Sequence, residues 1–251
     1  MPSRLSCAGG CHALAVTGDD VRKRTAHAYD EVVDDYVRRT TDVPADFARF
    51  RAEFADAVPE GGRVADLGCG PGRDAAVFRA AGLRAVGVDA SRRMTRRALA
   101  HGVAVARADI RLAPLRPGSL DGIWSAASLL HVPRGDVPAT LHTWWRCLRP
   151  GGVLGLSTSV GDDEGWEPWP EDPATRTPTT GLRRWFVHHR PDELVGLLTD
   201  AGFVVHLTRE RESHRRWLQV LAGRSDPGQV PPAADRTSSR QAESLGQRRT
   251  R

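Results

Sequence analysis

The stretch Val64-Ala65-Asp66-Leu67-Gly68-Cys69-Gly70-Pro71-Gly72 decides how the rest of the chain is read. An apolar, strand-like run ends in an acid, Asp66, and breaks at once into three alternate glycines, Gly68, Gly70 and Gly72. The segment that follows, Arg73 to Ala81, has a helical pattern of Ala75, Ala76, Phe78 and Ala80, with Asp74 in its first turn. A strand, a glycine turn and a helix start in direct succession form a ligand-binding crossing. Glycines let the backbone turn tightly and let a ligand touch it without meeting a Cβ, and the first helical turn offers unpaired N–H groups.

Working outward, strand and helix patterns alternate. Leu83 to Val88 is a continuous apolar run, as expected of a parallel strand covered on both faces, and it ends in Asp89. Asp89 has two readings. At a strand tip behind a glycine turn its carboxylate can accept both hydroxyls of a ribose, with Ala90 beside it; alternatively it caps the helix over Ser91 to Ala100. Val103 to Ala108 is a third strand, closed by Asp109 and Ile110. Leu120 to Ser125 reads as a fourth strand, Asp136 to Leu148 as a helix with Pro138 early in it, and Val153 to Thr158 as a fifth strand after the Leu148-Arg149-Pro150-Gly151-Gly152 turn. Three strand ends delivering Asp66, Asp89 and Asp109 to one rim fit the rule that ligands bind beyond the carboxyl ends of parallel strands, and the alternation itself predicts an α/β fold.

Composition sets limits. A chain of 251 residues with 40% hydrophobic content can bury one good core. No run of about 18 apolar residues predicts a membrane span. Leu5 to Val16 is too interrupted for a signal peptide, so a cytoplasmic protein with Cys7, Cys11, Cys69 and Cys147 reduced is expected. Of the net charge of +5, the six arginines and three acids from Arg224 to Arg251 supply most. The body is nearly balanced and shows no basic stripe with stacking aromatics, which argues against a nucleic-acid partner. Lys23 is the sole lysine, and this Arg- and Ala-rich usage reads as GC-rich base composition. Residues 1–20 are expected to be a disordered leader and 223–251 a disordered basic tail around one domain over 21–222. Cys7, Cys11 and His12 are read as incidental thiols and imidazole rather than a metal site, since no second ligand pair lies at finger spacing; no metal is expected.

A dinucleotide fingerprint would read G-x-G-x-x-G, and its third glycine would fall on Arg73; that spacing opposes a nicotinamide oxidoreductase. The run from Asp66 to Gly72 is instead D-x-G-x-G-x-G and resembles the first motif of class I S-adenosylmethionine-dependent methyltransferases. The resemblance covers about Ala26 to Leu221. It implies a Rossmann-like, seven-stranded, mostly parallel sheet with an antiparallel last strand and helices on both faces. It also implies S-adenosyl-L-methionine as cofactor, with S-adenosyl-L-homocysteine as product, and methyl transfer to a small-molecule O, N or C nucleophile. The cofactor residues it implies are Asp66, Gly68, Cys69, Gly70 and Gly72 at the turn, Asp89 and Ala90 at the ribose, Asp109 and Ile110 at the adenine, and Ser125 bordering the methyl donor. A non-catalytic protein that binds the same cofactor would keep these residues too.

The acceptor side is less determined. Val21 to Arg39 and Asp46 to Ala57 read as leading helices forming a cap over 21–58, and Tyr29-Asp30-Glu31-Val32-Val33-Asp34-Asp35-Tyr36 resembles the family's Y-D-x-x-A-x-x-Y opening, which lies over the ligand mouth. Tyr29 and Tyr36 either touch ligand or pack. His131, after the fourth strand, is a candidate general base or a brace for the loop before Pro133. The Pro- and Trp-bearing stretch Gly161 to Gly181, within a substrate-side insertion over 161–190, is a lid or a surface loop. Trp185 to His189 is strand-like before a helix over Asp192 to Ala201. His188 and His189 replace the aromatic run with Tyr common in the family; His188 is a second candidate base, and only one of two adjacent strand residues can face the site. Phe203 to Thr208 and Arg215 to Leu221 read as two last strands, and the resemblance implies that they pair as an antiparallel edge hairpin.

Overall fold

The computed structural model describes residues 17–170 and 178–225; the Cys7, Cys11 and His12 cluster and the basic tail beyond Ser225 lie outside the described residues. The chain opens with α1 (Gly18–Glu31), α2 (Val33–Arg39) and α3 (Ala45–Ala57), then β1 (Arg63–Leu67), α4 (Arg73–Ala80), β2 (Arg84–Asp89), α5 (Arg92–Ala100) and β3 (Val105–Arg107). It continues through β4 (Leu120–Ala126), α6 (Val137–Cys147), β5 (Leu148–Ser159), β6 (Glu164–Pro168), β7 (Arg183–Val187), α7 (Pro191–Asp200), β8 (Phe203–Glu212) and β9 (Arg216–Arg224). One seven-stranded sheet has the order β3-β2-β1-β4-β5-β9-β8. Every neighbouring pair from β3 to β5 is parallel, and β9 alone runs against both β5 and β8. The antiparallel last strand is thus present, inserted between β5 and the edge strand β8. No helix among the described residues is long and apolar enough to cross a membrane.

The two faces of the sheet are packed differently. On one, Phe47, Phe50 and Phe54 from α3 and Phe78 from α4 surround the Trp124 ring of β4, with centroids 5.0 to 5.9 Å away. The Trp124 indole N–H donates to Asp74 at 3.0 Å, so the ring is both packed and hydrogen-bonded. The other face is aliphatic, with Leu129, Leu141, Leu148, Leu194 and Leu198 around Trp144.

Several elements differ from the sequence expectation. The first helix begins at Gly18, where Thr17 accepts from the Asp20 N–H as N-cap, so the leader ends sooner than Asp20. The expected single helix over Val21–Arg39 breaks at Val32, with φ −110° and ψ 15°. Two adjacent β-branched residues, Val32 and Val33, weaken helix there, and Asp30 is drawn off to α5, accepting from the Ser91 hydroxyl at 2.6 Å and the Arg93 N–H at 2.7 Å. Ser91, rather than Asp89, is the N-cap of α5, accepting from the Met94 N–H at 3.1 Å. The helix α6 stops at an extended Leu148 that already pairs with Leu120, and the left-handed Gly151 turns the chain later, inside the strand. The expected lid or loop after β5 contains a two-stranded sheet, β6 against β7, with the Trp166 and Trp185 rings edge-on at 5.3 Å across the pair. Glu164-Gly165-Trp166-Glu167-Pro168 carries little strand propensity of its own, so this pairing had no local signal.

Trp124 supplies the test of this packing. Trp124→Ala is expected to lower unfolding free energy by about 3–5 kcal/mol. Trp124→Phe, which leaves Asp74 its arginine partners Arg51 and Arg73, should cost about 1–2 kcal/mol. Urea unfolding followed by circular dichroism reads both.

Candidate functional site

The glycine crossing is fixed by the strand beside it. The Gly68 and Cys69 N–H groups both donate to the Val88 carbonyl, at 2.7 and 3.1 Å, and the Gly70 N–H donates to Asp89 Oδ2 at 2.8 Å. Gly68 has φ +80° and sits so close to the loop after β4 that a Cβ there would overlap Ser128. Gly70, at φ +52°, has open space where a Cβ would point. That space belongs to a cleft of about 760 Å³, partly open to solvent, at the carboxyl ends of β1, β2, β3 and β4. Gly68, Gly70, Asp89, Ala90, Asp109 and Ile110 line it from the strand ends. Tyr29 and Tyr36 line it from the leading helices, and His131 from the loop after β4.

The acids are unequal. Asp89 accepts from Gly70 N–H through one oxygen and from Ser91 N–H, at 2.8 Å, through the other, which leaves a lone pair on each for a ligand. Burial raises its pKa to about 6. Asp66 faces a smaller adjoining cavity with Tyr36, Gly68 and Arg73. Its Oδ2 is buried with no hydrogen-bond partner among the described residues, and burial together with the Asp74 charge pushes its pKa well up. Asp109 is engaged by Arg111: Oδ1 accepts the Arg111 backbone N–H at 2.9 Å and Oδ2 the guanidinium at 2.9 and 2.7 Å. The same guanidinium reaches Asp136 at 2.6 Å and, in the first turn of α1, Asp19 at 3.0 Å. Arg111 was not singled out by the sequence reading, because nothing local links it to residues 92 positions away.

Other expected site residues stand apart from the main cleft. Gly72 faces Ala98 and Val103 and starts α4. Cys69 borders the smaller cavity, where its thiol packs toward Gly87 and burial raises its pKa. Ser125 is fully buried; its hydroxyl donates to Ser128 Oγ at 2.6 Å, and Ser128 in turn donates to the Leu67 carbonyl at 2.5 Å. Ser128, and not Ser125, lines the cleft from this side. His188 lies outside the cleft. Its Nε2 is 2.7 Å from Glu167 and its ring stacks on Phe186 at 5.8 Å. His189 is buried with both ring nitrogens unpartnered among the described residues, and burial lowers its pKa to about 4.

His131 has a defined tautomer. Its Nδ1 is 2.5 Å from the Trp185 carbonyl, which only accepts, so Nδ1 carries the proton and Nε2 offers its lone pair to the Tyr29 hydroxyl at 2.9 Å. Burial lowers its pKa to about 3. On the same strand edge the Trp185 N–H donates to Thr25 of α1 at 3.2 Å, so that edge of β7 is bonded both to α1 and to the loop carrying His131.

A glycine turn, acid-tipped parallel strands and one reversed strand are together a recurrent fold, and the model of a family described as a methyltransferase domain matches residues 39–208. The chain belongs to that methyltransferase-domain family. Its fold is that of the class I S-adenosylmethionine-dependent methyltransferases, and S-adenosylmethionine is the family's cofactor. A solved structure of Burkholderia thailandensis 1,6-didemethyltoxoflavin-N1-methyltransferase, with 1,6-didemethyltoxoflavin and S-adenosylhomocysteine bound, superposes with a TM-score of 0.67 at 18% identity, over 90% of this chain and 94% of that one. An uncharacterized 37.1 kDa protein of transposon TN4556 from Streptomyces fradiae is 29% identical over 223 residues, 76% of this chain and 61% of its own length. A malonyl-[acyl-carrier protein] O-methyltransferase of Enterobacter lignolyticus (strain SCF1) is 32% identical over 102 residues, 40% of each chain. The chain therefore spans less than two thirds of the curated relatives it matches.

The His131 geometry makes a spectroscopic prediction. Nitrogen-15 NMR of the imidazoles is expected to show His131 as the neutral Nδ1–H tautomer with no titration between pH 8 and 5. Because its folded pKa lies below the unfolded value of 6.5, the unfolded chain gains a proton first, and this residue's linkage lowers stability as pH falls from about 6.5 toward 3.

Proposed function

We propose that the protein transfers the methyl group of S-adenosylmethionine to a small-molecule oxygen, nitrogen or carbon nucleophile by in-line displacement. The observation that carries this reading is the single cleft: Asp89, Asp109 and the open side of Gly70 stand on one wall, and Tyr29 and His131 on another. Asp89 would accept both ribose hydroxyls, since each of its oxygens retains a lone pair. Ile110 would lie against the adenine, with the remaining lone pair of Asp109 Oδ1 toward its amine. The orphaned oxygen of Asp66 fits a positively charged amine, and the nearby Arg73 guanidinium fits the carboxylate of the same amino-acid end.

When bound, the cofactor supplies an activated methyl on a sulfonium leaving group. The chain's own part is alignment and exclusion of water, which is where most of the rate of such a transfer is gained. Tyr29, Tyr36 and His131 would border the accepting atom. Because the lone pair of His131 Nε2 is taken by the Tyr29 hydroxyl, a proton leaving the acceptor would pass to the Tyr29 oxygen while Tyr29 hands its own proton to Nε2.

Isothermal titration with S-adenosylmethionine, S-adenosylhomocysteine and NADH tests the reading. The two adenosyl compounds should bind, and Asp89→Asn should weaken both by about 10- to 100-fold while the thermal midpoint stays near wild type. Binding of NADH alone would overturn the reading. Affinity for S-adenosylhomocysteine is also expected to fall as pH drops through about 6, because Asp89 then holds a proton that must leave before both hydroxyls are accepted.

A further inference from the structure

The helix α1 forms one side of the cleft, and its two ends are held very differently. Gly18, Arg22, Thr25, Ala26 and Tyr29 line the cavity from that helix. From its middle to its carboxyl end α1 is well anchored. The Thr25 hydroxyl accepts from β7, Asp30 accepts from the Ser91 hydroxyl and the Arg93 N–H, and the Asp30 carbonyl accepts from the Arg93 guanidinium at 2.7 Å. The amino end has less. The first buried side chain is that of Val21, and among the described residues one polar contact ties the first turn to the rest of the fold, Asp19 to Arg111.

That contact belongs to a hub. The Arg111 guanidinium bonds Asp109 just after β3, Asp136 before α6 and Asp19 in α1, so a single side chain joins three elements at one end of the cleft. The three bonds are unequal. Arg111 and Asp109 are 15% and 14% exposed, whereas Asp19 is 66% exposed. Water and salt weaken an exposed ion pair more than a sheltered one, so the Asp19 bond gives way first and leaves Arg111 on Asp109. Gly18 fits the same arrangement. A Cβ there would overlap Arg111 Nη1 and Asp136 Oδ2, both at the ends of flexible side chains, so a methyl would displace the hub rather than break the helix.

We propose that Arg111 is a latch: it holds the first turn of α1 down over the cleft, and ligand enters and leaves when the Asp19 side of the latch releases. The identity of that ligand, S-adenosylmethionine or S-adenosylhomocysteine, rests on the methyl-transfer reading; the latch itself does not. Release leaves Asp109 still oriented by Arg111, and the anchored far end of α1 brings the helix back to its place. Arg111 is thus a positioning residue, acting on the ligand through α1 and Asp109.

Lys23 is the sole lysine of the chain and lies exposed in α1, so endoproteinase Lys-C, which cuts after lysine, has one site, and cutting there requires α1 to lift or unwind. The test is the rate of this single cut in the untagged, full-length protein, referred to the cutting of a free lysyl peptide. Asp19→Asn is expected to be cut about two- to fivefold faster than wild type. Arg111→Gln should be cut about tenfold faster or more, since it also takes a cation from Asp109 and Asp136. Arg111→Lys should restore part of the protection. Gly18→Ala should be cut faster as well, although alanine is the better helix former and by propensity alone would slow the cut. Raising sodium chloride to about 0.5 M should speed the wild-type cut and leave Arg111→Gln little changed. Unchanged rates in Asp19→Asn and Arg111→Gln, or a slower cut in Gly18→Ala, would overturn the proposal. Were Arg111→Gln not to fold, Asp19→Asn, Gly18→Ala and the salt series still decide. In stopped-flow measurements S-adenosylhomocysteine should leave Asp19→Asn about two- to fivefold faster than wild type, and an unchanged rate would overturn the role in ligand passage. Failure of S-adenosylhomocysteine to bind the wild type, with the cutting rates as expected, would remove the cofactor reading and leave the latch standing.

Discussion

The end of β1 is tied to the end of β2 by three backbone donors. Gly68 and Cys69 give their N–H groups to one carbonyl, that of Val88, and Gly70 gives its own to the next side chain, Asp89. An amide bonded to an ionised carboxylate is among the stronger neutral-donor hydrogen bonds, and here it also orients the acid. If the turn were placed differently, Asp89 would lose its orientation, the cleft its open floor at Gly70, and α4 its starting point. The close approach of Gly68 to Ser128 extends the same constraint to the loop after β4, and from there to His131. Both walls of the cleft therefore take their positions from one five-residue turn.

Below that turn the charges are arranged in layers. Asp74, in the first turn of α4, is engaged by Arg51, Arg73 and the Trp124 indole, whereas Asp66, one strand end away, has an oxygen with no hydrogen-bond partner among the described residues. Burial, and after it the nearby Asp74 charge, raises the proton affinity of Asp66. The two acids are thus separated by hydrogen-bond supply, although both are buried to a similar degree.

What was legible in the sequence was local or periodic. The strands leading to Asp66, Asp89 and Asp109 and the helices α3 to α7 announce themselves through apolar runs, glycines and proline positions, while the reversal of the last strand came from the family resemblance alone. The acids could be assigned to one rim because parallel strands share a direction. What was not legible depends on side chains meeting across long separations. Arg111 reaching Asp19, the Trp185 carbonyl fixing the tautomer of His131, and Ser128 replacing Ser125 at the cleft are consequences of packing. The pairing of β6 with β7 was hidden for another reason: the first strand is stabilised by its partner and by the edge-on contact of Trp166 with Trp185 rather than by strand propensity of its own. The break between α1 and α2 is intermediate, since the paired valines hinted at weakness while the pull of α5 on Asp30 could not be seen.

The way β7 is seated has a consequence for how the pocket's chemistry is encoded. On one edge its Trp185 N–H and C=O are taken by side chains, those of Thr25 and His131, instead of by another strand. These two bonds act as a register pin. In a strand, a slip of a single position turns every side chain to the opposite face. Such a slip would replace Arg184 and Phe186 in the interior with Arg183 and Trp185, so the choice of which β7 side chains are buried is stored in two hydrogen bonds to a backbone, and mutation of Thr25 would alter that interior without changing β7 itself.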